Sequence, residues 1–307
     1  MPHGIALIGL GKIARDQHLP AIAGSDLFTL AATVDPISSG VTGVPHFKDL
    51  AELLETAPPL DAVVLCTPPQ ARFELAMAAL YQKMHVFLEK PPSVTIAEAE
   101  ILRDTAWRQG VTLFAGWHSR FAAGVEPARA WLKERQIKSV SVVWREDVRI
   151  WHPGQNWIWE PGGLGVFDPG INALSIITHI LPRQIYVTCS TLTFPSNRAA
   201  PIAADLAFLD SAGIEIKMDL DFRQVGPQTW DIVVETDEGM LVLSSGGSDL
   251  TLPSGVVRAD DQEYQKLYAR FGWLIGNGQT DFDTMPLQLV ADAFITGRCA
   301  VAEPFHF

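Results

Sequence analysis

The chain has 307 residues, 48 % hydrophobic and 19 % charged, with a formal net charge of −12. That is enough apolar material for one large or two ordinary domains, and the acidic balance argues against nucleic acid as a partner. No run approaches the roughly 18 uninterrupted apolar residues of a membrane span, and the three scattered cysteines, Cys66, Cys189 and Cys299, suggest neither a disulfide framework nor a metal site.

The N-terminus enters an apolar run with no basic region or small-residue cleavage site before it, so the chain reads as mature and cytoplasmic. Ile5–Ile8 has the pattern of a strand buried on both faces. It runs into Gly9-Leu-Gly11-Lys-Ile-Ala14. There Gly9 would allow a tight turn, Gly11 would let backbone approach a pyrophosphate, and Ala14 would replace the third glycine of a dinucleotide fingerprint. A helix carrying Ile13, Leu19 and Ile22 inward should follow, its N-terminal N–H groups open to an anion. A second apolar run, Phe28–Val34, ends in Asp35. An acid there can accept hydrogen bonds from the adenosine ribose and would repel a 2′-phosphate. NAD is therefore expected, with NADP still open because Ser38 and Ser39 could receive a phosphate.

Helix 48–55 and strand 61–66 come next, the latter stopped by Thr67-Pro68-Pro69, a turn expected beside the cofactor. Helix 70–82 leads to strand 84–90, which must end at Lys90 because Pro91 and Pro92 cannot continue a ladder. Lys90 is thereby left at the carboxyl edge of the sheet, where open α/β sheets bind ligands. Helix 95–108 starts with a capping box, Thr95 and Glu98, and strand 111–115 closes a doubly wound parallel sheet.

After residue 121 the grammar changes. A helix at 125–134 precedes the alternating strand 139–146, an aromatic loop 151–165 and a helix 166–180 with Phe167, Ile171, Leu174 and Ile177 or Thr178 on one side. Strand-like runs at 185–194, 203–209, 214–222, 229–236 and 240–244 have short connections suited to antiparallel hairpins. Helices 261–275 and 284–296 follow. The fold expected is α/β: a Rossmann domain over 1–121 and an α+β domain over 122–307 with a large, mostly antiparallel open sheet. One uncovered sheet face could pair with a second copy.

Four of the nine tryptophans lie between Trp144 and Trp159, mixed with Glu146, His152, Gln155 and Asn156. Aromatic rings pack on sugar C–H faces while polar groups take hydroxyls, so this stretch, with Trp230, is a candidate sugar site; an interdomain core is the plain alternative. Asp168 and Asn172 share a helix face at i, i+4, although Asp168 could simply favour the helix dipole.

Gly9-x-Gly11-x-x-Ala14, Glu89-Lys90-Pro91 and Asp168-x-x-x-Asn172 together resemble the Gfo/Idh/MocA oxidoreductase family, and the resemblance covers the whole chain. Within it, the run from Trp151 to Ser175 is most similar to sugar 1-dehydrogenases acting on L-arabinose and D-galactose. The resemblance implies oxidation of the anomeric hydroxyl of an aldopyranose (L-arabinose, D-galactose or D-fucose type) to the aldonolactone, with hydride passing to NAD(P). It implies cofactor contacts at Lys12, Ile13, Pro68, Glu89, Lys90 and His118 besides the positions above. It places Lys90, His118, Glu146, Trp151, His152, Asp168, Asn172 and Trp230 around the substrate. Many relatives carry histidine where this chain has Asn172, which cannot titrate. Proton removal then falls to Asp168 or Lys90; a solvated carboxylate is a weak base, so Asp168 would need partial desolvation. A family dehydrogenase acting on a cyclitol or another carbonyl substrate, or a non-catalytic NAD(P)-binding regulator, are the alternatives.

Overall fold

The computed structural model describes residues 2–56 and 60–306. They form two compact units, Met1–Trp117 with Tyr264–Thr284, and His118–Glu263 with Met285–Phe307.

The first unit is built on a parallel sheet of order β3-β2-β1-β4-β5-β6, with β1 His3–Ile8, β2 Phe28–Val34, β3 His46–Phe47, β4 Ala62–Leu65, β5 His85–Glu89 and β6 Leu113–Gly116. Ala62–Leu65 and Val86–Glu89 are buried at every position, as continuous runs in a sheet covered on both faces must be. The first helical segment is not uniform: Ala14–His18 is π-helical and only Leu19–Ala23 (α1) is α-helical. Helices α2 (Leu50–Thr56), α3 (Pro69–Tyr81) and α4 (Ile96–Gln109) follow. Both halves of the capping box at α4 are present, Thr95 accepting from the Glu98 N–H and Glu98 from the Thr95 N–H.

The second unit carries a nine-stranded mixed sheet of order β14-β13-β12-β11-β7-β10-β9-β8-β15. After α5 (Val125–Leu132), β7 (Ile137–Arg145) is followed by α6 (Val148–Trp151) and α7 (Phe167–Ile180); β8 is Ile185–Pro195, β9 Ala203–Asp210, β10 Glu215–Asp221, β11 Thr229–Thr236 and β12 Gly239–Ser244. Two further strands beyond the expected set, β13 (Asp249–Leu252) and β14 (Gly255–Arg258), extend one edge. Then come α8 (Glu263–Gly276), α9 (Met285–Thr296) and a third unexpected strand, β15 (Arg298–Ala302), parallel to β8. The sheet is mostly antiparallel, with β7–β10 the other parallel pair.

Alternating burial along β7 and β10 shows one face packed and the other accessible, where Glu215 and Lys217 form an ion pair. The expected aromatic loop is partly ordered, holding the last residue of α6 and a 3₁₀ turn, Asn156–Trp159. Helix α7 is buried almost all round rather than along one stripe. A Cβ on Gly170 would stand 2.6 Å from Leu220 Cδ1, so glycine lets this helix lie close on β10.

The compact units differ from the expected contiguous division after residue 121. The first unit ends at Trp117, and the segment from Tyr264 returns to it. The cause is aromatic packing: Phe271 stacks on Phe28 and Phe114 at 5.6 and 5.8 Å, and Tyr268 lies 5.6 Å from Phe87. Leu267 and Phe271 are fully buried, each worth about 1.5–3 kcal/mol over exposure.

Candidate active site

At the carboxyl end of the first sheet, the Gly9 N–H donates to Val34 O, and Gly9 has φ +89°. A Cβ there would stand 2.9 Å from Thr67 N, so two βα turns meet at this glycine. Gly11 differs. No other residue comes within 4 Å of its would-be Cβ, so space rather than internal packing lies over it. Thr67 Oγ1 is buried and has no hydrogen-bond partner among the described residues, and Pro68 flanks the start of α3. A clear approach over Gly11 and an unsatisfied hydroxyl at Thr67 fit a dinucleotide. Lys12 is paired with Asp16, and Ile13 is partly exposed.

Asp35 works mainly on its own loop. Its Oδ2 accepts the Leu10 N–H at 2.8 Å, while Oδ1 accepts those of Ile37 and Ser38 at 2.9 and 2.7 Å. Burial alone would raise its pKa, but these N–H bonds prevail and hold it below the usual aspartate value. Arg15, which the fingerprint did not single out, binds Leu10 O through Nε at 3.2 Å and Ser38 Oγ through Nη2. A guanidinium thus reaches Ser38, whose N–H also donates to the acid expected to reject phosphate.

Glu89 is turned inward, 3 % exposed. Its Oε1 accepts the Tyr264 hydroxyl at 2.8 Å and lies 3.0 Å from His18 Nε2, and its Oε2 accepts the Lys90 N–H at 3.0 Å. His18 Nδ1 is 2.9 Å from the Tyr268 hydroxyl. The Glu89 carbonyl accepts from Arg72 Nη1 at 2.6 Å, and the Lys90–Pro91 peptide is cis. Glu89, expected at the cofactor, thus fixes the backbone from which Lys90 projects.

The second unit holds seven of the expected residues, His118, Glu146, Trp151, His152, Asp168, Asn172 and Trp230. Glu146, just after β7 and 2 % exposed, accepts the Trp230 indole N–H at Oε2 (2.9 Å) and has His152 Nε2 at Oε1 (3.0 Å). Trp230 stacks on Trp144 at 6.0 Å and meets Trp151 at 4.7 Å. On the other side of the imidazole, His152 Nδ1 is 3.7 Å from Asp168 Oδ2. Asp168 lies in the first turn of α7 and is 3 % exposed; Asn172, one turn on, is half-buried. Both Glu146 oxygens are thus engaged, one by Trp230 and one by His152. His118 falls in the second unit, its Nδ1 2.6 Å from Glu263 Oε2. No local pattern could have paired two residues so far apart in sequence.

The chain belongs to the Gfo/Idh/MocA family of oxidoreductases, whose NAD-binding Rossmann-fold model matches residues 3–117. It is 43 % identical over 309 aligned positions to the galactose 1-dehydrogenase of Pseudomonas fluorescens, covering 99 % of each chain. The crystal structure of a D-galactose-1-dehydrogenase protein from Rhizobium etli superposes with a TM-score of 0.96 at 51 % identity, covering 99 % of this chain and 98 % of that one. A 3-ketoreductase from Actinomadura kijaniata, solved with NADP and TDP-benzene, shares the fold (TM-score 0.86) at 17 % identity, with 98 % and 100 % coverage.

Proposed function

We propose that the protein is an aldose 1-dehydrogenase, oxidising the C1 hydroxyl of a D-galactose-type aldopyranose to the aldonolactone. L-Arabinose and D-fucose, which share the relevant ring stereochemistry, are the proposed further substrates. The observation that carries the reading is the buried carboxylate of Asp168, one turn before Asn172 and alongside His152, Glu146 and a tryptophan wall. The full-length likeness to two galactose dehydrogenases supports the choice of sugar.

Oxidation at C1 needs a group that takes the hydroxyl proton as the hydride leaves. Asp168 is assigned the C1 hydroxyl proton. Lys90 is assigned the stabilisation of charge developing on the same oxygen, and Asn172 holds it through its side-chain amide. Trp151 and Trp230 pack on the sugar's C–H face, and His118 is assigned a polar contact. A nicotinamide dinucleotide supplies the hydride acceptor. Gly9, Gly11, Lys12, Ile13, Asp35, Ser38, Thr67 and Pro68 would hold it, with NAD the first choice and NADP accommodated through Arg15 and Ser38.

The test is a panel of aldoses and inositols, with cofactor reduction followed by absorbance and the product identified by NMR. Reduction by D-galactose with lactone formation is expected. Activity on inositols alone, or on no substrate at all, would overturn the assignment.

A further inference from the structure

Aldose oxidation by a nicotinamide nucleotide releases one proton to solvent for every hydride transferred. If Asp168 takes that proton, as proposed above, it must lose it again before the next turnover. Its side chain is only 5 % exposed, so direct return to water is hindered. The neighbouring imidazole of His152 is 15 % exposed and sits 3.7 Å away through Nδ1.

We infer that His152 is the proton exit from Asp168, held in the required tautomer by Glu146. This inference rests on Asp168 being the base. The Glu146 carboxylate can only accept, so the imidazole nitrogen 3.0 Å from it, Nε2, carries the hydrogen. Nδ1 faces Asp168, and once Asp168 carries the substrate proton and can donate, the neutral ring presents its lone pair there. As C1–H leaves with its electron pair for the nicotinamide, the C1 oxygen gives its proton to Asp168 and the C1=O bond forms. Asp168 then passes that proton to Nδ1. The resulting imidazolium lies between the Glu146 and Asp168 carboxylates, and Gln155 Oε1, 3.4 Å from Nδ1, is a further acceptor. Loss of the Nδ1 proton to water or buffer restores both groups. A separation of 3.7 Å exceeds a hydrogen bond, so the transfer needs a small movement of the ring; apo geometries at catalytic sites are commonly loose in this way.

The neighbourhood separates this role from simple sugar binding. Glu146 has both oxygens engaged inside the unit, one on Trp230 and one on His152. A buried acid behind a histidine fixes and polarises the imidazole, and here Asp168 stands at the ring's other nitrogen. A hydrogen-bonding wall for sugar hydroxyls would need no such support.

The experiment compares the full-length wild type with His152→Gln and His152→Ala at one pH, with D-galactose and NAD as substrates. His152→Gln keeps a partner for Glu146 but cannot carry a proton; His152→Ala leaves room for added imidazole. Circular dichroism and thermal unfolding establish that each variant is folded. The expected result is a fall in kcat of about 10²-fold, the low end for one acid–base group, with KM changed far less. Added imidazole should restore the His152→Ala rate in proportion to its concentration. A kcat within about twofold of wild type in either folded variant overturns the relay. So does a loss that appears in KM alone, or one that imidazole leaves unchanged. If the wild type oxidises no aldose, the proposed function fails and the relay with it; an active wild type with indifferent variants removes the relay alone.

Discussion

Glu146 Oε2 accepts the indole N–H of Trp230 at 2.9 Å across two neighbouring strands, and the same carboxylate meets His152 through its other oxygen. One buried acid therefore sets both an aromatic wall and a polar group of the candidate sugar site. Glu146→Ala leaves two half-buried donors without their acceptor, at a cost of about 1–3 kcal/mol. Urea unfolding should show a stability loss in that range, together with a raised KM for the aldose through Trp230 and a lowered kcat through His152. A stable variant with unchanged KM would show that Trp230 and His152 are held by something else.

The acid and the amide of α7 separate in kinetics. Asp168→Asn preserves size and is expected to lower kcat by about 10²–10⁴-fold, the range of one acid–base group. Asn172→Ala should act mainly on KM. Near-normal turnover in Asp168→Asn would remove Asp168 from the chemistry and leave Lys90 as the base. For Lys90→Ala, an intact kcat with a raised KM would make Lys90 a binding residue only.

Much of this was legible in the chain, for local reasons. The apolar run Phe28–Val34, the Gly9/Gly11 turn and the Thr95/Glu98 capping box each depend on residues within a few positions, and the structure has β2 at the same bounds as that run. What was illegible is long-range. His18 meets Tyr268 across 250 residues and His118 meets Glu263 across 145. Neither contact leaves a period or a spacing to read. The return of Tyr264–Thr284 to the first unit was hidden for the same reason, because an amphipathic helix does not declare which core its aromatics enter. At Asp35 the sequence shows only an acid at a strand end; its three backbone partners depend on the turn it caps.

Arg15 should decide how well a 2′-phosphate is accepted. Its guanidinium is already directed at Ser38, and hydrogen bonds to charged groups contribute about 1.5–3 kcal/mol, or about 10–100-fold in binding. Arg15→Ala is expected to lower kcat/KM for NADP by that factor while NAD changes only slightly. Equal losses for both cofactors would show that Arg15 serves the loop and not the phosphate.

Asp210 gives the second unit a pH-dependent anchor. It is 7 % exposed; its Oδ1 accepts the Ala212 and Ile214 N–H groups at 2.8 and 2.9 Å, and its Oδ2 accepts from Arg183 Nε at 2.6 Å. Burial works to raise its pKa, but the Ile214 N–H, the Arg183 guanidinium and the Ala212 N–H outweigh it, and the net shift is downward from the ordinary 3.8. A carboxyl depressed in the folded state stabilises fully above its unfolded value, and that contribution is lost as pH falls through the folded value. Asp210→Asn should therefore be less stable than wild type at neutral pH, with the gap closing only as the solution becomes more acidic than the ordinary aspartate range. A gap that stays constant with pH in chemical unfolding would show that the carboxylate charge is not what the hairpin uses.

The two fingerprint glycines should fail in different ways, because different things crowd them. Gly9 has a positive φ and a would-be Cβ 2.9 Å from Thr67 N, so Gly9→Ala strains the backbone by about 1–3 kcal/mol before any cofactor is present. Gly11 has open space around its would-be Cβ and no positive φ, so Gly11→Ala should fold with an unfolding midpoint close to wild type. The same methyl would stand where a pyrophosphate needs to approach the backbone. Calorimetric titration with NAD is therefore expected to show affinity lowered at least about tenfold, or 1.4 kcal/mol, in an apoprotein of unaltered stability. If Gly11→Ala binds NAD as the wild type does, the pyrophosphate does not pass over this turn, and the cofactor contacts assigned to Lys12 and Ile13 go with it.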